Sequence, residues 1–159
     1  MELTDIRDLY RDRESFIGKE VTVGGWIRSN RDSKTFGFIV INDGTYFETL
    51  QVVYSDKLAN FADLTRLNIG SAVVVKCTIV STPDAKQPFE MQAEEAFVEG
   101  ESTSDYPLQK KRHSFEYLRT IPHLRPRTNT FQAVFRVRSL IAYAIHMFFQ
   151  ERGFVYVHT

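Results

Sequence analysis

Thr35-Phe-Gly-Phe-Ile-Val-Ile41, Asn42-Asp-Gly-Thr45 and Phe47-Glu-Thr-Leu-Gln-Val-Val-Tyr54 follow one another with only Tyr46 between, and their reading decides the fold. The first and last stretches alternate large apolar and smaller or polar residues, the two-residue period of a half-buried strand. Asn and Gly between them tolerate the positive φ a tight turn requires. Parity divides each strand into two faces. Gly37, Ile39 and Ile41 share one face and Phe36, Phe38 and Val40 the other. Leu50, Val52 and Tyr54 face with the first set, leaving Gln51 and Val53 outside.

Working outward, Glu20-Val-Thr-Val-Gly-Gly-Trp-Ile-Arg28 is a preceding strand in which Gly24 and Gly25 allow strong bending. Thr4 to Tyr10 is a short helix, capped by Thr4 or Asp5, with Leu3, Ile6, Leu9 and Tyr10 on one face. Lys57 to Leu67 is a helix with Leu58, Phe61, Ala62 and Leu64 on one side, stopped by Asn68 and Gly70. Ala72 to Val80 is a fourth strand. After the loop Ser81 to Pro88, a fifth starts at Phe89-Glu-Met-Gln-Ala93 and can run on to Val98, with Phe89, Met91 and Ala93 inside and Glu90 and Gln92 outside. Three strands, a helix and two strands is the order of an OB-fold, a five-stranded and mainly β barrel that presents the outer face of its middle strands to oligonucleotides or oligosaccharides.

The pattern predicts three regions: the barrel over residues 1–103, a basic hinge over 104–128, and a helix and strand over 129–159. Pro107, Pro122 and Pro126 bar a long helix from the hinge. Phe131, Val134, Phe135, Ile141, Ile145 and Phe148 then make a helix apolar over much of its girth, ended by Gly153 and followed by the strand Phe154-Val-Tyr-Val157. Charge follows the same division. Residues 1–104 carry a net −6 and residues 105–139 a net +6, although the whole chain sums to zero. A polyanion feels the second segment strongly.

No apolar run approaches the roughly 20 residues of a membrane span, and the N-terminus lacks the basic start and apolar run of a signal peptide. The single cysteine, Cys77, alternates with Val73, Val75 and Ile79 as a core residue; no internal disulfide is possible, which fits a reducing cytoplasm. His113, His123, His146 and His158 lack metal-ligand spacing, and no phosphate-binding glycine loop or nucleophilic triad is legible. The sequence therefore offers no catalytic or metal residues, and the candidates are for recognition. Phe38 is a stacking platform for an unpaired base. Gln51 can donate to and accept from a base edge, Glu90 can accept from an amino or imino group, and Arg28 and Arg31 can meet phosphates or a base edge. The competing reading puts Phe38 in the core, since small barrels also close around aromatics and parity slips at bulges.

Six segments carry a family resemblance: Gly25-Trp-Ile-Arg-Ser-Asn-Arg-Asp-Ser-Lys34, Phe38-Ile39, Leu50-Gln-Val52, Phe89-Glu-Met-Gln-Ala93, Lys111-Arg-His-Ser-Phe-Glu-Tyr-Leu-Arg119 and His123-Leu-Arg-Pro-Arg-Thr-Asn129. The chain resembles the N-terminal region of the asparaginyl-tRNA synthetases, class IIb aminoacyl-tRNA synthetases, over essentially its whole length. The last segment points to the asparaginyl branch; the first ones are shared with aspartyl and lysyl relatives. The resemblance implies an anticodon-binding OB-fold, a hinge, and the opening helix and strand of class II motif 1 at a homodimer interface. It implies that Phe38 stacks on the central anticodon base, a uridine, that Gln51 and Arg31 read or hold that base, and that Glu90 lies near the first base, a guanine or its modified form. The match at Arg28 is looser than at Arg31. The loop Ser81 to Pro88 corresponds to one that helps judge the third base, with no single residue carried over. The expected partner is tRNA-Asn. Motifs 2 and 3, which hold ATP and the adenylate, lie outside this stretch, so the chain alone is expected to be inactive, while the longer cytoplasmic enzyme uses ATP and Mg. Two other readings stay open: a stand-alone OB-type single-stranded nucleic-acid-binding module, and the same region of a relaxed aspartate–tRNA ligase.

Overall fold

The computed structural model of the chain describes residues 2–85 and 87–158, so Met1 of the N-terminal reading, Lys86 of the loop before the fifth strand and Thr159 of the last region lie outside the described residues. Two compact units are present, Met1–Arg112 and His113–Thr159.

The first unit is built on β1 (Glu20–Asp32), β2 (Phe36–Asn42), β3 (Leu50–Ser55), β4 (Ala72–Ser81) and β5 (Phe89–Gly100). They close into a barrel in the order β1-β2-β3-β5-β4. All pairings are antiparallel except the short parallel contact of β3 with β5, Val52 opposite Met91 and Val53 opposite Gln92. The OB-fold expectation is met: three strands, the helix α3 (Phe61–Arg66), then two strands. Strand β1 serves two neighbours. Residues 20–26 pair with β4 and residues 26–32 with β2, so the strand must bend where it changes partner, beside Gly24 and Gly25.

Inward parity holds through β2, β3 and the start of β5. Ile39, Ile41, Leu50, Val52, Tyr54, Phe89 and Met91 are all essentially buried, and α3 contributes Leu64. Each buried aliphatic of this kind is worth about 1.5–3 kcal/mol relative to exposure. Cys77 belongs to the same core, and burial pushes its thiol up to about 12, so it stays protonated at neutral pH.

Three local expectations are revised. The first helix, α1 (Ile6–Arg11), is continued by a short α2 (Arg13–Phe16), and neither Thr4 nor Asp5 caps α1 with its side chain. The cap comes from the β2–β3 turn: Ile6 N–H donates to Asp43 Oδ2 at 2.8 Å and Arg7 N–H to Thr45 Oγ1 at 3.1 Å. A helix of six residues gains more from such a tertiary partner than from its own capping residue. Leu3, expected on the buried face, is 51% exposed. The helix expected over 57–67 is only Phe61–Arg66, and its Ala62 is exposed. Residues 57–60 form turns, with the Asn60 side chain donating to the Ala96 carbonyl on β5 at 2.8 Å. The third strand starts at Leu50, three residues later than the alternation suggests. Before it, Asn42 and Asp43 bond the amides of Gly44 and Thr45, and Gly44 takes φ +84.

The second unit holds α4 (Phe115–Thr120), a 3-10 turn at Arg125–Arg127 and α5 (Asn129–Gln150). Ser114 caps α4 and Thr128 caps α5, each by accepting from an amide three residues on. The Arg125 guanidinium lies 4.9 Å from the Phe131 ring centroid and 5.8 Å from that of Phe135. No residue of α5 is buried. Phe154 to Val157, expected as a strand, form none; strand backbone needs a neighbouring ladder, and among the described residues none pairs with it. Among the described residues no helix is long and apolar enough to cross a membrane.

Gly37 is fixed by the core. A Cβ built there would stand 2.3 Å from Cζ of Tyr54, a ring that is 1% exposed. Gly37→Ala is expected to displace that ring and lower stability by about 1–3 kcal/mol, read as a lower urea midpoint with cooperative unfolding retained.

Candidate nucleic-acid interface

The outer face of the barrel over β1, β2 and β3 gathers three of the five sequence-predicted residues. Phe38 stands on β2 on the side opposite Gly37 and Ile39 and is half-buried. Its cross-strand neighbours are Arg31 on β1 and Val53 on β3. Gln51 is opposite Val40, one diagonal step away. Arg31 reaches over β2: its Nη2 donates to Gln51 Oε1 at 3.3 Å, and its guanidinium carbon is 5.7 Å from the Phe38 centroid. That distance is at the outer limit of cation–π range, so the ring is flanked rather than covered. Phe36 supports it from the other side, edge-on at 5.5 Å, and is itself 42% exposed.

Arg31 reaches this face because β1 carries an irregularity. The register with β2 shifts between Ile27 and Ser29, and Arg28 is the residue the pairing skips. Strict alternation from Val21, Val23 and Ile27 would put residue 31 inside. The extra residue reverses the parity, so Asn30 turns inward and Arg31 outward. Arg28 itself is half-buried within the bulge.

Asn30 went unremarked in the sequence and proves structural. Its Nδ2 donates to the carbonyls of Leu64 at 2.7 Å and Leu67 at 3.3 Å, and its Oδ1 accepts from the Tyr54 hydroxyl at 3.0 Å. It thus bonds two carbonyls at the C-terminal end of α3, of which that of Leu64 also accepts from Leu67 N–H, and the one polar group of a buried ring. Burial pushes the Tyr54 phenol up to about 12, so it remains a donor at any ordinary pH.

Glu90 projects from β5 and accepts from Gln92 Nε2 at 2.9 Å. It borders a cleft of about 520 Å³ beside the Phe38 face, lined among others by Tyr10, Val40, Glu48, Gln51 and Gln87. Gln87, in the loop from which no residue was singled out, bonds the backbone of Gln51 on both sides: Oε1 accepts from its N–H at 2.7 Å and Nε2 donates to its carbonyl at 3.0 Å. The only signal for it in sequence is position, two residues before a strand. Among the described residues no group of three His, Cys, Asp or Glu side chains could hold a metal ion.

The face therefore presents a ring with guanidinium and amide donors beside it, and a carboxylate acceptor at the edge of an adjoining cleft. A flat heterocycle with carbonyl oxygens suits the first, and one with amino or imino hydrogens suits the second.

Residues 21–99 match the model of a family described as an OB-fold nucleic acid binding domain. The resemblance to asparaginyl-tRNA synthetases also extends beyond the OB-fold domain. An asparagine–tRNA ligase of Acetivibrio thermocellus is 62% identical over 100% of this chain and 34% of its own length. One from Bacillus cereus is 59% identical over 100% of the chain and 34% of its own length. The chain thus spans about a third of the length of the curated relatives it matches. Among solved structures, asparaginyl-tRNA synthetase from Pyrococcus horikoshii complexed with asparaginyl-adenylate superposes with a TM-score of 0.87 at 22% identity, over 99% of this chain and 36% of that one. A putative aspartyl-tRNA synthetase from Leishmania major gives 0.83 at 16% identity, over 99% and 34%. At such identities the superpositions speak for the fold alone, and the fold does not separate asparaginyl from aspartyl enzymes.

Asn30 sits under the Phe38 face of the barrel and bonds three groups at once. Asn30→Ala is expected to cost about 1–3 kcal/mol, measured by equilibrium urea unfolding, with the end of α3 exchanging its amide hydrogens faster.

Proposed function

We propose that the OB-fold binds the anticodon loop of a transfer RNA, with Phe38 stacking on the central base, Arg31 and Gln51 holding its edge, and Glu90 near the first base. The observation that carries this reading is the meeting of Arg31, Gln51 and Phe38 on one outward face. Because Gln51 Oε1 is engaged by Arg31, its amide offers Nε2 donors outward. Donors beside a ring favour the carbonyl oxygens of uracil over the amino group of cytosine. Glu90, an acceptor, favours the N1–H and N2 amino group of guanine. A guanine followed by a uracil is the order the asparagine anticodon requires. Arg28, displaced into the bulge, is left to phosphate contact.

In this reading the chain belongs to a longer asparagine–tRNA ligase, supported by 62% identity over all of it to a protein of that name. The longer cytoplasmic protein condenses asparagine with ATP, with Mg²⁺, and passes the acyl group to tRNA-Asn. Residues 1–103 are the recognition domain, 104–128 a hinge and 129–159 the start of a catalytic domain whose exposed α5 face pairs in a homodimer.

Phe38→Ala is expected to weaken binding to an RNA stem-loop with a GUU anticodon by about 1–3 kcal/mol, whereas Phe38→Trp retains binding. A fluorescence titration that finds Phe38→Ala unchanged removes Phe38 from the site. Arg31→Ala and Gln51→Ala are expected to be non-additive on the same stem-loop, with a coupling of about 0.5–3 kcal/mol in a double-mutant cycle.

A further inference from the structure

Strands β3 and β5 pair in parallel over only two residue pairs, Val52 with Met91 and Val53 with Gln92. One step back, at Gln51, the main-chain ladder has ended, yet the Gln51 N–H and C=O still point across the gap. One side chain fills it. The Gln87 carboxamide accepts from Gln51 N–H at 2.7 Å through Oε1. Through Nε2 it donates to the Gln51 carbonyl at 3.0 Å and to the Phe89 carbonyl at 2.8 Å. A primary amide has one acceptor and two donor hydrogens, and here it bonds both strands in the way a missing peptide unit would. The loop behind it is closed on itself: the Thr82 hydroxyl donates to the Gln87 carbonyl at 3.1 Å, and Thr82 N–H to the Pro88 carbonyl at 3.1 Å.

The geometry assigns Gln87 as a positioning residue for base reading: it locks the backbone of Gln51 and so sets where the Gln51 amide and its partner Arg31 meet the central base. The assignment rests on the anticodon reading above. Gln87 is not itself a reader, because its oxygen and both hydrogens are already committed to the backbone. Its effect passes through a continuous set of contacts, from Gln87 to the Gln51 backbone, to Gln51 Oε1, to Arg31 and to the Phe38 ring. The loop of β4–β5 is thereby tied to the reading face, so a disturbance in one reaches the other.

The test uses the 159-residue chain and its Gln87→Ala and Gln87→Glu variants. Gln87→Glu keeps an acceptor for Gln51 N–H but sets a carboxylate oxygen against two carbonyls. Three quantities are measured: hydrogen exchange at the Gln51 amide, the melting midpoint, and the ratio of affinities for a GUU stem-loop and one with its middle base changed to cytosine. In the unmodified chain the Gln51 amide is expected to be protected although it lies past the strand ladder. Gln87→Ala, which removes the acceptor, is expected to lose that protection, and both variants to reduce the affinity ratio about tenfold, the loss of roughly one good hydrogen bond to the base. Affinity for the changed stem-loop should hold, a split that general loosening of the barrel would not give. Fast exchange with an unchanged ratio overturns the assignment. So does an unprotected Gln51 amide in the unmodified chain, a result that needs no variant to fold. An unmodified chain that does not prefer GUU overturns the anticodon reading instead, and the assignment falls with it.

Discussion

The candidate interface depends on one extra residue in β1. Up to Ile27 the strand alternates inward and outward without fault; at Arg28 the register with β2 slips by one. Everything beyond is reversed. Asn30 enters the barrel, where it bonds the last carbonyls of α3 and the Tyr54 hydroxyl, and Arg31 leaves it, where it reaches Gln51. Without the bulge a guanidinium would point into an aliphatic core, a position that costs several kcal/mol unless an ion pair compensates it. The outward arginine and the inward asparagine are therefore two results of the same irregularity.

The inward half explains why the outer half is well placed. Tyr54 lies flat over Gly37, close enough that no Cβ fits between them, and its hydroxyl is held by Asn30. Gly37 and Tyr54 are a cross-strand pair, as are Phe38 and Val53 next to them. The glycine against which the inner ring packs and the residue that carries the outer ring are thus consecutive on β2. A shift of β2 that moved Phe38 would have to move Gly37 off a packed aromatic, and packed interiors resist such shifts. The position of the Phe38 ring is constrained by what lies on the reverse of its own strand.

How much of this was legible varies with the kind of signal. Strands β2, β3 and β5 alternate large apolar and polar residues, so the faces of Phe38, Gln51 and Glu90 could be read directly. Strand β1 runs on past Arg28 through Ser29-Asn-Arg-Asp32, which is polar throughout; its pairing there is supplied by β2, and no property of those four residues announces it. The bulge was hidden for the same reason. The cap of α1 by Asp43, 37 positions away, and the bridging by Gln87, 36 positions from Gln51, are tertiary hydrogen bonds of side chains that look like ordinary loop residues in sequence. Phe154 to Val157 shows the opposite failure: the local alternation is right for a strand, but among the described residues no strand pairs with it.

Charge separates two tasks that a nucleic-acid binder must perform. Residues 1–104 carry a net −6, so the barrel as a whole repels a polyanion at long range, and its recognition must come from contacts made after docking. Attraction falls to the segment 105–139, with its net +6. That division bears on how the readers are built. An arginine and a glutamine free on the surface each lose up to about 1.5–2 kcal/mol of rotamer freedom when a base fixes them. The Arg31–Gln51 contact, exposed and 3.3 Å long, adds little to the stability of the fold. What it does is restrict both side chains before the ligand arrives, which lowers the cost of binding without improving any contact in the complex. If the face binds RNA as proposed, such preorganisation is the more effective place to spend a hydrogen bond, because the net charge of the barrel does not hold a polyanion.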